Sequence, residues 1–516
     1  MGGKGGLPRG GSFWSSFNAL AALHHRASES DYAARAREEA ALTRWRMAHA
    51  KPSGALGDGR LADDTDIDRA GLRDPRGLFF GTHNNRMLFW SSDESLLTYL
   101  RPGGGKGVAH IQPNLAHSYD RSFVVTDVKN GELAWSAAEH RSERLGIPNI
   151  FINPYGLHGY PTTRINPLER LIDLAVKEQA FDGEAEAIAH ILLPEPPKAG
   201  DNDWVRKGAI QLAALRMEFA AAFDPDHCTL GDVWCFATGG PEHFDYSFSL
   251  MATCGNESIE RRAQSFDGMR RQAPKQWEAI RYDLSEALSC FDPGKALGRA
   301  TAAHEFDFTR LKLRPHTVFI MLPVNRLDVA APFASLIVNS LIETLAAAHG
   351  PVQTTFILDE FANMPKVSGI RRSLRLHRSL GLQYWFFAQS RHAMTGKWAK
   401  EEVKEIEDLV GCTLLRSVWE TDVIRDIELW SGNRTIHSRG VSHNGGTVEA
   451  GASNLGETKR PVLQSEDIIG LGPDRQIVRI ASMPRLLIAD AVPYFFVKPW
   501  SQQLRDVREL HRGIEP

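Results

Sequence analysis

"LRPGGGKGVAHIQPN", residues 100–114, decides how the rest of the chain is read. A phosphate loop of the Walker A type reads G-x-x-x-x-G-K-[ST]. Its glycines let backbone N–H groups wrap the phosphates, its lysine reaches the outer ones, and its hydroxyl meets Mg²⁺. Here Gly105 and Lys106 are in register, but Leu100 stands at the first glycine and Gly107 at the hydroxyl. The stretch is either a chance glycine-rich turn or a divergent phosphate loop, and the segments that follow it decide between the two.

The first of these is "TTFILDEFANMP", residues 354–365. Its apolar run suits a buried strand, and Asp359 and Glu360 follow at the carboxyl end, where open α/β sheets bind their ligands. At a phosphate site the first acid would hold Mg²⁺ and the second would orient and deprotonate the attacking water; otherwise the pair is an acidic turn. A later strand, "LQYWFFAQS", ends at Gln389, which would either bond the outermost phosphate or attacking water or simply cap the strand. Between them, "GIRRSLRLHRSLGL" sets Arg371, Arg375 and Arg378 at i, i+4 and i+7 of a helix. That basic stripe is either a solvated face or the source of an arginine reaching a neighbouring subunit's nucleotide. Upstream, "SFVVTDVKNGEL" ends a strand with Asp127, Lys129 and Glu132 close to the same place.

Around these motifs the chain reads as folded protein. Its 516 residues call for two or three domains, or one large domain with an insertion. A net charge of −3 supplies no attraction for nucleic acid over the whole molecule, so any DNA contact must come from local basic tracks. The cysteines Cys228, Cys235, Cys254, Cys290 and Cys412 form no C-x-x-C pair and read as reduced thiols. No run reaches the ~18–20 apolar residues of a membrane span. The nearest, "FASLIVNSLIETLAAAH", is broken by Asn339, Ser340, Glu343 and Thr344 and reads as an amphipathic helix. The opening residues are too weakly apolar for a secretory signal, and the chain is expected to be soluble as given.

Residues 1–75 read as an N-terminal segment, with one helix in "DYAARAREEAALTRWRMAHAK" and a Gly/Asp-rich linker over 51–75. Strand signals occupy 76–165, and only helical periodicity fills 166–302, an all-α insertion. Strands and helices alternate again over 303–500, and 501–516 is a tail. Strands that are continuous Ile, Leu, Val and Phe runs separated by helices predict an α/β fold around a mostly parallel sheet covered on both faces. The run Tyr384–Phe387 is read as sheet core, Trp204 as a packing residue of the helical insertion, and His377 and His392 as surface or packing residues rather than ligands. "GNRTIHSRGVSHNGGTVEAGASNLGETK", residues 432–459, reads as a surface loop.

In this order of segments the chain resembles the TraG/TraD-like type IV coupling proteins of bacterial conjugation and secretion. That family's loop, x-P-x-x-x-G-K-G-V before an I-P-N run, is matched by "RPGGGKGVAHIQPN", so Gly107 follows the family form and the loop is divergent rather than accidental. Its D-I-K-G-E segment is matched by "DVKNGEL" with Asn130 inserted before Gly131, and its Walker B by "LDEFANMPKVSGI". "KRPVLQSEDIIGL" and "DRQIVRIASMP" resemble its C-terminal ending, and the likeness runs over roughly 75–500.

The resemblance implies a RecA-like P-loop ATPase using ATP and Mg²⁺. Lys106 would bind the outer phosphates, with backbone from Gly103, Gly104, Gly105, Gly107 and Val108 around them. Asp359 would serve Mg²⁺, Glu360 the attacking water, Gln389 the γ-phosphate, and Arg378 would complete a neighbour's site in a homo-hexameric ring. The implied partners are a relaxase–DNA complex or secreted effector proteins, the type IV secretion channel and, along pore loops, single-stranded DNA. The implied location is the bacterial cytoplasm at the inner face of the inner membrane, although the family's usual pair of transmembrane helices is not read here. The absent hydroxyl at Gly107 implies slow turnover. A nucleotide-binding cargo receptor with little hydrolysis is the alternative, and a replicative helicase or segregation translocase with the same motor core is a further one.

Overall fold

The computed structural model describes residues 51–179, 183–194, 203–364, 368–376, 378–442 and 452–511, with a few positions between 34 and 45. The helix expected in residues 31–51 falls largely outside them. By tertiary contact the chain divides into two units: residues 1–60 with 432–462, and residues 61–431 with 463–516.

The larger unit is built on an eleven-stranded sheet. Its strands are β1 (Leu78–His83), β2 (Arg86–Trp90), β3 (Leu96–Leu100), β4 (Ser122–Asp127), β5 (Asn149–Ile152), β6 (Thr317–Met321), β7 (Thr354–Leu358), β8 (Leu382–Ala388) and β9 (Cys412–Arg416). In the smaller unit β10 (Asn433–Ser442) pairs with β11 (Ala452–Pro461), and β12 (Arg475–Ile480) and β13 (Leu487–Asp490) return to the large sheet. The sheet order is β2-β1-β13-β12-β9-β3-β8-β7-β4-β6-β5. From β9 to β5 every pairing is parallel, and the other four strands extend the sheet antiparallel. All residues of β4, β6, β7 and β8 are buried, as their continuous apolar runs require when helices cover both faces. The β1–β2 hairpin turns on Asn84 and Asn85, both at positive φ, the turn whose twist matches that of the strands it joins.

Parallel β5 and β6 are neighbours, so the chain between them must cross over the sheet. That crossover is the helical stretch of the sequence. Its helices include Glu169–Val176, Asp203–Phe223, Leu230–Ala237, Pro241–Met251, Glu257–Gln272 and Pro274–Ala287, and no strand occurs among its described residues. An aromatic cluster holds it: Phe244 meets Trp277 edge-on at 5.1 Å and Phe236 at 5.5 Å. The helix Leu327–Ala347 is buried along most of its length. With the turn before it, over Val324–Ala347, it is the one segment among the described residues long and apolar enough to cross a membrane.

Three expectations change. Residues 51–75 are not linker throughout: Asp63 caps the helix Asp64–Arg69 with a capping box, and Ile67 and Leu72 enter the core. The described part of residues 432–459 is not a loop but supplies the paired strands β10 and β11, in register from Asn433–Pro461 to Ser442–Ala452. Within that unit Gly59 N donates to Asn433 O at 2.8 Å, and a Cβ on Gly57 would lie 2.4 Å from the same carbonyl, so only glycine allows the approach. Backbone pairing runs the length of both strands. Trp204 is not a packing residue: at the start of its helix it is 45% exposed.

Candidate active site

The sheet order assembles the site. Strands β3, β8, β7 and β4 are adjacent and parallel, so the segments leaving their carboxyl ends meet along one edge: 101–106, Gln389, Asp359–Glu360 and Asp127. Leu100, at the place of the missing first glycine, is the buried last residue of β3 and serves the core.

After it the chain turns through Gly103 and Gly105 at φ +76° and +80°, the left-handed region open to glycine. A Cβ on Gly104 would meet first the flexible end of Leu100, so that glycine is less demanded. Ala109 N donates to Gly105 O at 2.9 Å and starts the helix, whose first turn, Gly107–Ile111, is π-wound before Gln112–His117 continues as α. Lys106 stands immediately before this helix, whose leading N–H groups are donors an anion can meet, and Val108 packs against the core.

Across the edge, Asp359 N donates to Thr126 Oγ1 at 2.7 Å, which ties the end of β7 to β4. Glu360 sits at φ +56°, a strained backbone for a non-glycine residue, before the turn Phe361–Asn363. Phe361 anchors that turn against Phe386 and Trp398 at 4.8 and 5.3 Å.

Lys106, Asp359, Glu360 and Gln389 come together. The Lys106 ammonium lies 2.7 Å from Asp359 Oδ1 and pairs with Glu360 Oε1, while Gln389 Nε2 donates to Glu360 Oε2 at 3.2 Å. Burial works against charge on Lys106, but the two carboxylates outweigh it and hold the ammonium above the usual lysine range. Asp359 is raised by its burial, against the pull of Lys106.

Asp127, at the end of β4, is wholly buried; its Oδ2 accepts from Ala134 N at 2.8 Å, and burial, with Asp359 and Glu132 adding to it, pushes the acid up to about 8. The Asn130 insertion is absorbed as a left-handed turn whose Oδ1 accepts from Val324 N at 3.0 Å.

The basic stripe does not exist as one. Arg371 binds Glu402 at 2.6 Å and also Glu405, and Arg375 binds Glu405, so the helix Lys400–Leu409 neutralises both. Arg378 lies past the helix Ser368–Leu376 that carries Arg371 and Arg375, in the turn Arg378–Leu380, and its side chain is outside the described residues. Two features escaped the sequence reading. Thr126 is the clamp on Asp359, signalled only by a threonine among the valines of "FVVTD". A cleft of about 480 Å³ opens beside Gln389, lined among others by Tyr99, Arg101, Arg416 and Trp419, with the Arg101 guanidinium over the Trp419 ring at 5.8 Å.

An N–H cradle, one ammonium and carboxylates in excess of it fit a phosphate chain with a divalent cation, the chemistry of phosphoryl transfer. The model of a family described as type IV secretory system conjugative DNA transfer matches residues 61–507. VirD4 of Agrobacterium fabrum (strain C58) is 23% identical over 391 residues, covering 74% of this chain and 56% of that protein. VirD4 of Rhizobium rhizogenes is 22% identical over 264 residues, covering 50% and 39%. The chain thus spans little more than half the length of the curated relatives it matches, or less. Among solved structures, the plasmid coupling protein TrwB in complex with the ATP analogue ADPNP superposes with a TM-score of 0.61 at 14% identity, over 84% of this chain and 93% of that one. TrwB with ADP and Mg²⁺ gives 0.59 at 13%, over 84% and 94%. At such identity the likeness is one of fold, the RecA-like P-loop fold that the sheet order already describes. The family match over most of its length carries the rest: the chain belongs to the type IV secretory system conjugative DNA transfer family.

Proposed function

We propose that this chain is the motor of a type IV coupling protein, an ATPase that draws relaxase–DNA complexes or effector proteins to a secretion channel and helps drive their transfer. The observation that carries the reading is the meeting of Lys106, Asp359, Glu360 and Gln389 at the carboxyl edge of the parallel sheet. TrwB, which shares the fold, was solved with ADPNP and with ADP and Mg²⁺.

Bound ATP would supply the transferable phosphoryl group, and Mg²⁺ the positive charge that offsets its developing charge. Lys106 exchanges its two carboxylates for the outer phosphates, and backbone N–H groups from Gly103, Gly104, Gly105, Gly107 and Val108 surround them. Asp359 holds Mg²⁺. Glu360, released from Lys106 and held at its other oxygen by Gln389, accepts the proton of the attacking water. Arg378 completes the site of the next subunit in a hexameric ring at the cytoplasmic face of the inner membrane. The helical insertion 166–302 faces cargo, and single-stranded DNA passes along pore loops.

Steady-state ATP hydrolysis with and without single-stranded DNA at low salt tests this. DNA-stimulated turnover that Glu360→Gln and Lys106→Ala each abolish, with the fold intact, supports the motor. A second reading, a cargo receptor that binds nucleotide and hydrolyses little, draws on the missing hydroxyl at Gly107; binding without hydrolysis in every condition would establish it.

A further inference from the structure

The loop offers no hydroxyl to a cation, yet there is room for one. A Cβ built on Gly107 would meet only Leu133 Cδ2, at 3.5 Å. Leu133 lies in the first turn of the helix Glu132–Glu139, and the amide of the next residue, Ala134, is the one that Asp127 Oδ2 accepts. Asp127 therefore stands in the same corner of the site as the vacant hydroxyl position.

Only half of its carboxylate is used. One oxygen caps the helix at Ala134 N, the Leu133 amide of the same turn also draws on the carboxylate, and Oδ1, equally buried, has no close hydrogen-bond partner. A buried carboxylate oxygen without a partner is costly, and a role as helix cap does not explain it. The sheet shows what it faces. Thr126 is in register with Leu358, so Asp127 and Asp359 leave adjacent parallel strands at the same level, with Thr126 Oγ1 bonded to the Asp359 amide between them.

Charge points the same way. Two carboxylates, Asp359 and Glu360, share one ammonium in contact, Lys106, with Lys129 acting on Asp359 only through its field. When Lys106 turns to phosphate, the acids lose that partner, and a divalent cation with oxygen ligands restores the balance.

We propose that Asp127 takes over the office of the missing Walker A hydroxyl, its Oδ1 holding Mg²⁺ alongside Asp359. The inference rests on reading Lys106 and Asp359 as a nucleotide site, and its test separates the two. Mn²⁺, standing in for Mg²⁺, is titrated by electron paramagnetic resonance into the full chain with saturating ADP, and ADP affinity is measured separately in EDTA. Asp127→Asn keeps a carbonyl acceptor for the Ala134 amide and removes the oxygen that could ionise onto a cation. It is expected to weaken Mn²⁺ binding by about tenfold or more, leaving ADP affinity in EDTA unchanged. Adding Gly107→Ser to it, which the space at that position admits, is expected to recover most of the loss.

If Asp127→Asn binds Mn²⁺ as tightly as the parent chain while Asp359→Asn does not, Asp127 is a helix cap only and the inference is overturned. If Asp359→Asn is also without effect, or the parent chain binds no ADP, the nucleotide site itself is wrong and the inference goes with it. Asp127→Ser, smaller and still an oxygen acceptor, decides the matter by the same titration should Asp127→Asn not fold.

Discussion

His110 lies in the π-wound turn that follows the phosphate loop, wholly buried, with its ring 5.8 Å from that of Trp385 and 6.3 Å from that of Phe387. Neither ring nitrogen has a hydrogen-bond partner. Burial, with the Arg416 charge adding to it, pushes the imidazole down to about 3. The folded chain therefore refuses a proton that the unfolded chain accepts below the ordinary histidine value of about 6.5. The stability tied to neutral His110 is fully present above that value and is lost as pH falls from there toward 3. His110→Leu is expected to flatten this dependence, removing about one proton from the uptake on unfolding, and to raise stability at pH 5 by on the order of 1–2 kcal/mol. Urea unfolding at pH 5 and pH 7.5 reads both effects, and an unchanged difference between the two pH values would refute the assignment.

Among the elements, the inserted helices are held by local devices whose loss is measurable. Thr229 caps the helix Leu230–Ala237: its Oγ1 accepts from Asp232 N at 3.2 Å, while Asp232 Oδ2 accepts from Thr229 N at 3.1 Å. Thr229→Ala is expected to cost about 1 kcal/mol, read as a lowered denaturant midpoint. Two glycines make a sharper contrast. At Gly298, in the helix Ala296–Ala300, a Cβ would lie 2.1 Å from Asp292 O, a backbone atom that cannot swing aside. Gly298→Ala should destabilise by on the order of 2 kcal/mol, whereas Gly107→Ser should be neutral within about 0.5 kcal/mol. Equal effects in thermal unfolding would show that the close approach at Gly298 is relieved by backbone movement.

For the whole molecule, the proposed ring makes an assembly-dependent prediction. Arg378→Ala is expected to lower turnover in the assembled ring and to leave isolated monomers unaffected; a comparable loss in monomers would remove the intersubunit role. Because the chain carries a net charge of −3, DNA stimulation must come from local basic tracks, and it should fall steeply as salt rises from 50 to 200 mM. Salt-independent stimulation would point to stacking without phosphate contact.

The sequence by itself determined the strands of the parallel core, because β4, β6, β7 and β8 are buried on both faces and can only be built from continuous apolar residues. It also determined the residue types at their carboxyl ends, since the proposed phosphate site calls for the lysine and paired acids of Lys106, Asp359 and Glu360 whatever surrounds them. Tertiary structure decided the rest, for reasons a local pattern does not record. Interleaving β8 between β3 and β7 brings Gln389 to Glu360, and strand order is a relation between distant segments. Arg371 and Arg375 read as a free basic stripe because their countercharges lie on another helix, Lys400–Leu409. The β10–β11 hairpin was invisible because backbone pairing leaves no mark on side-chain composition. Asp127 was named from its place at a strand end, but that one of its oxygens is spent on a helix and the other left open follows only from the packing of that helix against the sheet.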